Sequence, residues 1–362
     1  MVKLNIKGMK NILLTLDYEL FGNGKGDVFK HIIEPTDILL ALADKYRAKY
    51  TFFFEIVEFW KLKEEWNKGN RMGYDRNPLD AMVHQLQKAV KKGHDVQLHI
   101  HPQWVDAKWK ETKWYVNLDE WKLGTYKRNG EESLVNLLLK GKHALEEMIR
   151  PVAPDYQCIA LRAGGYNAMP SEELVKAMRQ VGLYIDSSVY PGGFEESNLS
   201  VYDYRNVPND IGRWFVDEQL EYVSDKKTDV VEIPIVSKSI KRWRKYASLD
   251  RILTIIENLK GAKEVYEEKV SGAGSRKCSE LQKLQFLLQN ECQTWDFCLL
   301  SPSVHRSFLR MIGNMKNRDC FVLVGHPKSY CGKRGMNYLF KKLSRKGYCF
   351  TTISRVYNNK IK

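Results

Sequence analysis

Short apolar runs alternate with longer amphipathic stretches along this chain, and that alternation constrains its fold more than any other feature. Residues 11–16, 50–55 and 95–100 read as strands, and residues 38–46 and 79–92 between them read as helices. The series continues with helices over 133–149, 170–180, 248–259, 279–290 and 336–345, and with strands over 158–162, 184–187, 230–234, 321–325 and 348–352. Repeated βα units build a parallel sheet or a barrel, and either collects its functional side chains at the C-terminal ends of the strands. No internal repeat, low-complexity tract or proline-rich linker divides the 362 residues, so one α/β domain spanning 1–362 is expected, with a polar, Trp-rich insertion at about 103–130.

Composition excludes several classes. No stretch reaches the apolar length of a membrane span, and the opening MVKLNIKGMK is too charged for a secretory signal, so a cytoplasmic protein is expected. Seven scattered cysteines without a Cys-x-x-Cys pair indicate neither a disulfide framework nor a structural zinc site. The net charge of +14 is concentrated in residues 238–245 and 328–346. Such segments draw phosphates or an anionic membrane surface, and they also occur as solvated helix faces. A phosphate-bearing or lipid-linked substrate and peripheral membrane contact therefore stay open. Nucleic acid is not expected, because no helix-turn-helix, RNA-binding or zinc-finger pattern is present.

The chemistry lies at the strand ends. Residues i and i+2 of a strand face the same way, so Asp17 and Glu19 project together from one strand end and His99 and His101 from another. Two imidazoles with one or two carboxylates suit a catalytic metal, zinc first, with iron, manganese or cobalt as alternatives. Further strand ends carry Arg162-Ala-Gly-Gly-Tyr166, Asp186-Ser-Ser and Gly325-His326-Pro-Lys. Amide hydrolysis needs an activated water, a Lewis acid at the carbonyl oxygen and a proton donor for the leaving amine. Glu19, His99 and His101 as metal ligands, Asp17 as base aligned by Arg162, and His326 as acid supply all three. The reverse assignment of Asp17 and Glu19 stays open. Trp104, Tyr166 and Trp214 are candidates for stacking on a sugar ring.

The order and spacing of these motifs resemble the polysaccharide deacetylases, carbohydrate esterase family 4, and their divergent cell-surface branch in particular, from Leu13 to about Ser354. Leu14-Thr-Leu-Asp17-Tyr-Glu19 resembles the first motif, Ala48-Lys-Tyr-Thr-Phe-Phe-Phe54 the second-strand signature, and Gly93-His-Asp-Val-Gln-Leu-His99-Ile-His101-Pro102 the paired-histidine motif. Arg162 to Tyr166 is similar to the groove-lining motif, Asp186 and its turn to the fourth, and Val322 to Pro327 to the last, whose histidine is a general acid. Two spacings depart from the family. Tyr18 separates an acidic pair that is normally adjacent, and the histidines are two rather than four positions apart. The resemblance implies a distorted (β/α)7 barrel and metal-dependent removal of an N-acyl group, acetyl or formyl, from an amino sugar, with Asp186 and Tyr166 on the substrate side. A surface-polysaccharide precursor is the expected setting. The rival readings are a non-catalytic carbohydrate-binding relative and a hydrolase of a non-sugar amide such as a cyclic ureide.

Overall fold

The computed structural model describes residues 10–246, residue 252 and residues 285–360. The helix expected over 248–259 lies outside these residues except at position 252, and that expected over 279–290 lies outside them as far as residue 284.

Besides the short strand Cys349–Phe350, which lies parallel to the start of the first strand, seven strands run parallel: β1 (Asn11–Tyr18), β2 (Tyr50–Glu55), β3 (Asp95–Ile100), β4 (Ala160–Ala163), β5 (Ile185–Asp186), β6 (Val230–Glu232) and β7 (Cys320–Gly325). They pair in chain order from β1 to β6, and β7 pairs with β1. The remaining gap between β6 and β7 is spanned by two isolated parallel bridges, Ile235 to Val322 and Asp296 to Val324. This is a distorted (β/α)7 barrel, regular on one side and closed on the other by single hydrogen-bonded contacts. Helices α1 (Glu34–Tyr46), α2 (Ile56–Asn67), α3 (Pro78–Lys91), α4 (Leu134–Ile149), α5 (Glu172–Val181), α6 (Pro302–Asn314), α7 (Lys333–Arg345) and α8 (Ile353–Lys360) surround it. No helix among the described residues is long and apolar enough to cross a membrane.

Strands buried on both faces need apolar residues at nearly every position, and β2, Tyr-Thr-Phe-Phe-Phe-Glu, is buried throughout. Alternation still sorts the faces. Thr15 and Asp17 both meet Arg162 inside the barrel, whereas Tyr18 points outward, packs on Phe52 and Phe54, and donates to Gln85 of α3 at 2.8 Å. The one-residue separation of Asp17 and Glu19 is thus what turns both acids inward.

Several elements differ from expectation. Helix α2 follows β2 without an intervening turn, because Glu55 is its N-cap and accepts from the N–H groups of Val57 and Glu58. Strand β4 starts at Ala160 rather than at 158, since the N–H groups of Ile159 and Ala160 are both taken by the Gln97 side chain. No helix separates β5 from β6. The chain returns through the ribbon Gly193–Glu196 and Val201–Tyr204 and the antiparallel strand Trp214–Val216. The insertion carries a small hairpin, Lys108–Lys110 with Lys113–Tyr115.

Helix α6, absent from the periodicity reading, anchors the bridge that closes the barrel. Trp295 stacks on Phe308 at 4.8 Å and donates its Nε1–H to His305 Nδ1 at 3.0 Å, which holds the neighbouring Asp296 in place. Burial pushes the His305 imidazole down to about 3. Because this lies below the unfolded value near 6.5, the unfolded chain binds a proton between those limits while the folded one does not, and stability falls as pH falls. His305→Asn, whose side-chain oxygen can still accept from Trp295, is expected to gain about 1.4 kcal/mol relative to the parent for each pH unit descended from 6 to 4. Urea unfolding measures it, and parallel stability curves would show that His305 titrates freely.

Candidate active site

Strand register assembles the site. His99 pairs with Glu55 on one side and Arg162 on the other, and Asp17 pairs with Phe53, so the inward residues of β1 to β4 converge at one end of the barrel. Gly164, directly after β4, is required there because a Cβ would lie 2.4 Å from the His101 ring.

Two groups form. The first is a chain of charges. Arg162, fully buried, donates from Nη1 to Asp17 Oδ1 at 2.5 Å and to Thr15 at 2.9 Å, and from Nε to the Ser187 carbonyl at 2.8 Å. His326 Nε2 lies 3.4 Å from Asp17 Oδ2, and its Nδ1 meets Asp296 Oδ2 at 2.9 Å. Burial alone would raise the Asp17 carboxyl, but the Arg162 guanidinium and His326 hold it well below the usual carboxylate range. Burial would likewise lower His326. The two flanking carboxylates outweigh it and push the imidazolium up to about 10, so His326 is charged at neutral pH. Its side chain remains 20% exposed, which leaves it accessible to a substrate.

The second group is a ligand cluster. Glu19 Oε2 lies 2.7 Å from His101 Nε2 and 3.5 Å from His99 Nε2, and its other oxygen accepts from Lys328 Nζ at 2.8 Å. His99 Nδ1 faces the Arg162 carbonyl at 2.8 Å. A carbonyl only accepts, so His99 carries its proton on Nδ1 and turns a bare Nε2 toward Glu19. His101 Nδ1 meets the Gln103 side-chain amide at 2.8 Å. The amide nitrogen of Gln103 is the atom that faces it, so this ring accepts on Nδ1. Neither Nε2 has a hydrogen-bond partner although both are buried. Such orphaned nitrogens beside a carboxylate fit a divalent metal. Asp17, Glu19 and His326 also come within 4.8 Å of one another, but Asp17 and His326 are already engaged by Arg162 and Asp296.

Three expected binding residues are engaged within the protein. Trp104 is 1% exposed and packs edge-on against Trp114 at 5.5 Å, so its ring faces the core and cannot stack on a ligand. Trp214 is also core, its Nε1 bonded to the Leu220 carbonyl. Asp186 is fully buried, pairs in register with Glu232, and accepts from the Ser188 N–H and hydroxyl, so its carboxylate is engaged within the barrel. Tyr166 lies near the charges of the first group. Burial and the nearby charges of Asp17 and Asp296 push its hydroxyl up, and its ring meets Tyr190 edge-on at 5.2 Å.

Other residues complete the site. Trp121, from the insertion, lies 5.7 Å from His101 with a buried, unpartnered Nε1. Asp296 had no signal in the sequence, because it belongs to no strand. Lys328 follows His326 by two positions. Glu55 ends an apolar strand in phase with Thr51 and Phe53, the same signal that marks Asp17 and Glu19, and it is fully buried.

No family model and no curated protein sequence matches the chain. Among solved structures, a protein described as a polysaccharide deacetylase from Mycobacterium smegmatis is 12% identical, with a TM-score of 0.48, over 98% of this chain and 92% of that one. The polysaccharide deacetylase Bc1974 from Bacillus cereus is 14% identical, with a TM-score of 0.39, over 95% and 91%. Puue allantoinase is 8% identical, with a TM-score of 0.45, over 100% and 95%. The chain is thus similar to polysaccharide deacetylases of known structure.

Proposed function

We propose that this protein is a metal-dependent hydrolase that removes an N-acyl group from an amino sugar. The observation that carries the reading is the side-by-side placement of a three-donor cluster, Glu19, His99 and His101, and the ion pair of Asp17 with His326. A divalent ion in that cluster would polarise the acyl carbonyl and ease deprotonation of a water. Asp17, held ionised by Arg162, faces the same space and takes the proton of the attacking water. His326, charged at neutral pH and partly exposed, gives a proton to the departing nitrogen. Trp121, beside His101, and Tyr166, beside Tyr190, are the aromatic residues near the site that could pack on a sugar ring. The net charge of +14 suits a phosphate-bearing or lipid-linked amino sugar over a neutral one.

The test is an assay of released carboxylate on N-acetyl and N-formyl amino sugars, free and nucleotide-linked, with protein loaded in turn with zinc, iron, cobalt and manganese. Release that disappears on chelation and returns with metal is expected. Release that survives complete metal removal would overturn the metal-dependent reading, and cleavage of allantoin with no cleavage of any amino sugar would replace the substrate class.

A further inference from the structure

We propose that Glu55 is a fourth protein ligand of the metal, through Oε2, so that the ion is held by two imidazoles and two carboxylates. The proposal rests on the metal-dependent reading above and concerns a residue outside its three-ligand set. Glu55 is fully buried at the end of β2, and its neighbour in the sheet is His99. Ligand atoms of Glu19, Glu55, His99 and His101 all lie within 4.8 Å of one another, close to the spacing of donors facing each other across one metal ion.

The two oxygens of Glu55 have different tasks. Oε1 caps α2 by accepting from Val57 N–H at 3.0 Å and Glu58 N–H at 3.4 Å. Oε2 is buried without any hydrogen-bond partner. A cation among the clustered ligand atoms would satisfy this oxygen together with Glu19 and the two Nε2 atoms. The surroundings agree. Glu19, Glu55 and Glu58 are buried carboxyls, and the ammonium beside Glu19, Lys328, is committed to Glu19 Oε1 and the Leu20 carbonyl. Among the described residues no cation pairs with Glu55, so its carboxyl has no counter-charge of its own.

A donor set with two carboxylates is harder than one with a single carboxylate, and four protein ligands would close a tetrahedral zinc site to water. The geometry therefore points to an ion that takes five or six ligands, such as Fe²⁺, Mn²⁺ or Co²⁺, with open positions for water and substrate.

Glu55→Gln tests the role, because Gln keeps an oxygen for the α2 cap and replaces the ligand oxygen by an amide nitrogen. Affinity for Co²⁺ and Zn²⁺ is measured by competition with a chromophoric chelator on the full chain, alongside the visible spectrum of the Co²⁺ form and the melting temperature with and without metal. Glu55→Gln is expected to lose at least about a hundredfold in affinity, beyond the loss typical of a group that only supports a ligand. Its Co²⁺ spectrum is expected to shift toward the stronger bands of lower coordination, and its metal-free form to melt no lower than the parent. Parent protein that binds metal, with a variant of unchanged affinity and spectrum, would overturn the Glu55 role alone and leave Glu55 a helix cap. Parent protein that binds no metal would overturn the functional reading itself. A metal-free variant that melts lower shows a dominant capping role and, without loss of affinity, also overturns the proposal.

Discussion

Asp17→Asn is expected to lower kcat by about 10²–10⁴-fold while the protein keeps its metal. The carboxylate is held ionised by Arg162 and lies against His326, and it is spoken for by these partners, whereas Nε2 of His99 and His101 faces Glu19. The amide keeps the shape and a hydrogen-bond acceptor for Arg162 but cannot take a proton from water. Glu19→Gln, by contrast, is expected to lose metal and turnover together. Elemental analysis of both variants beside their kinetics separates the roles, and an Asp17→Asn protein that loses its metal while Glu19→Gln retains it would exchange them. The same chain sets the alkaline limit. His326 must be protonated to act as acid, so with its imidazolium pushed up to about 10 the activity falls as pH rises through that value. Asp296→Asn removes one of the two carboxylates that raise it, and the alkaline limb of kcat/KM is expected to move down toward the ordinary histidine value near 6.5.

Arg162→Met is expected to cost about 3–5 kcal/mol of folding stability, because it takes from a buried carboxylate the nearer of its two counter-charges. Arg162 is fully buried, its guanidinium lies 4.1 Å from the Phe53 ring, and it bonds Thr15, Asp17 and Ser187 across three strands or strand ends of the barrel. Met fills the length of the side chain and supplies none of those donors. Combining Arg162→Met with Asp17→Asn removes both charges and is expected to cost clearly less than the sum of the two single changes. Urea unfolding of the four proteins gives the coupling. Additive losses would show that Asp17 finds another partner, and the positioning of the base would then need a different source.

Local pattern determined much of this protein. Alternation along single strands already separates Thr15, Asp17 and Glu19 from Leu14, Leu16 and Tyr18, and places His99 and His101 on one face, since the direction of a side chain in a strand depends only on its own backbone. The apolar runs at 50–55 and 95–100 and the amphipathic stretches between them were legible for the same reason. What lies between strands was not. Glu55 carries the same strand-end signal as Asp17, yet its nearness to His99 follows from the lateral register of β2 on β3. Trp104 and Trp121 are indistinguishable as aromatic residues of one polar insertion, and only the packing decides that the first turns into the core against Trp114 while the second covers His101. Asp296 is furthest from legibility. It sits in no strand, and it reaches His326 because a bridge to Val324, braced by Trp295 on α6, closes the gap between β6 and β7. Periodicity in a chain reports which face each residue takes, but the partner across that face is chosen by contacts between segments remote in sequence, and those exist only once the barrel has closed.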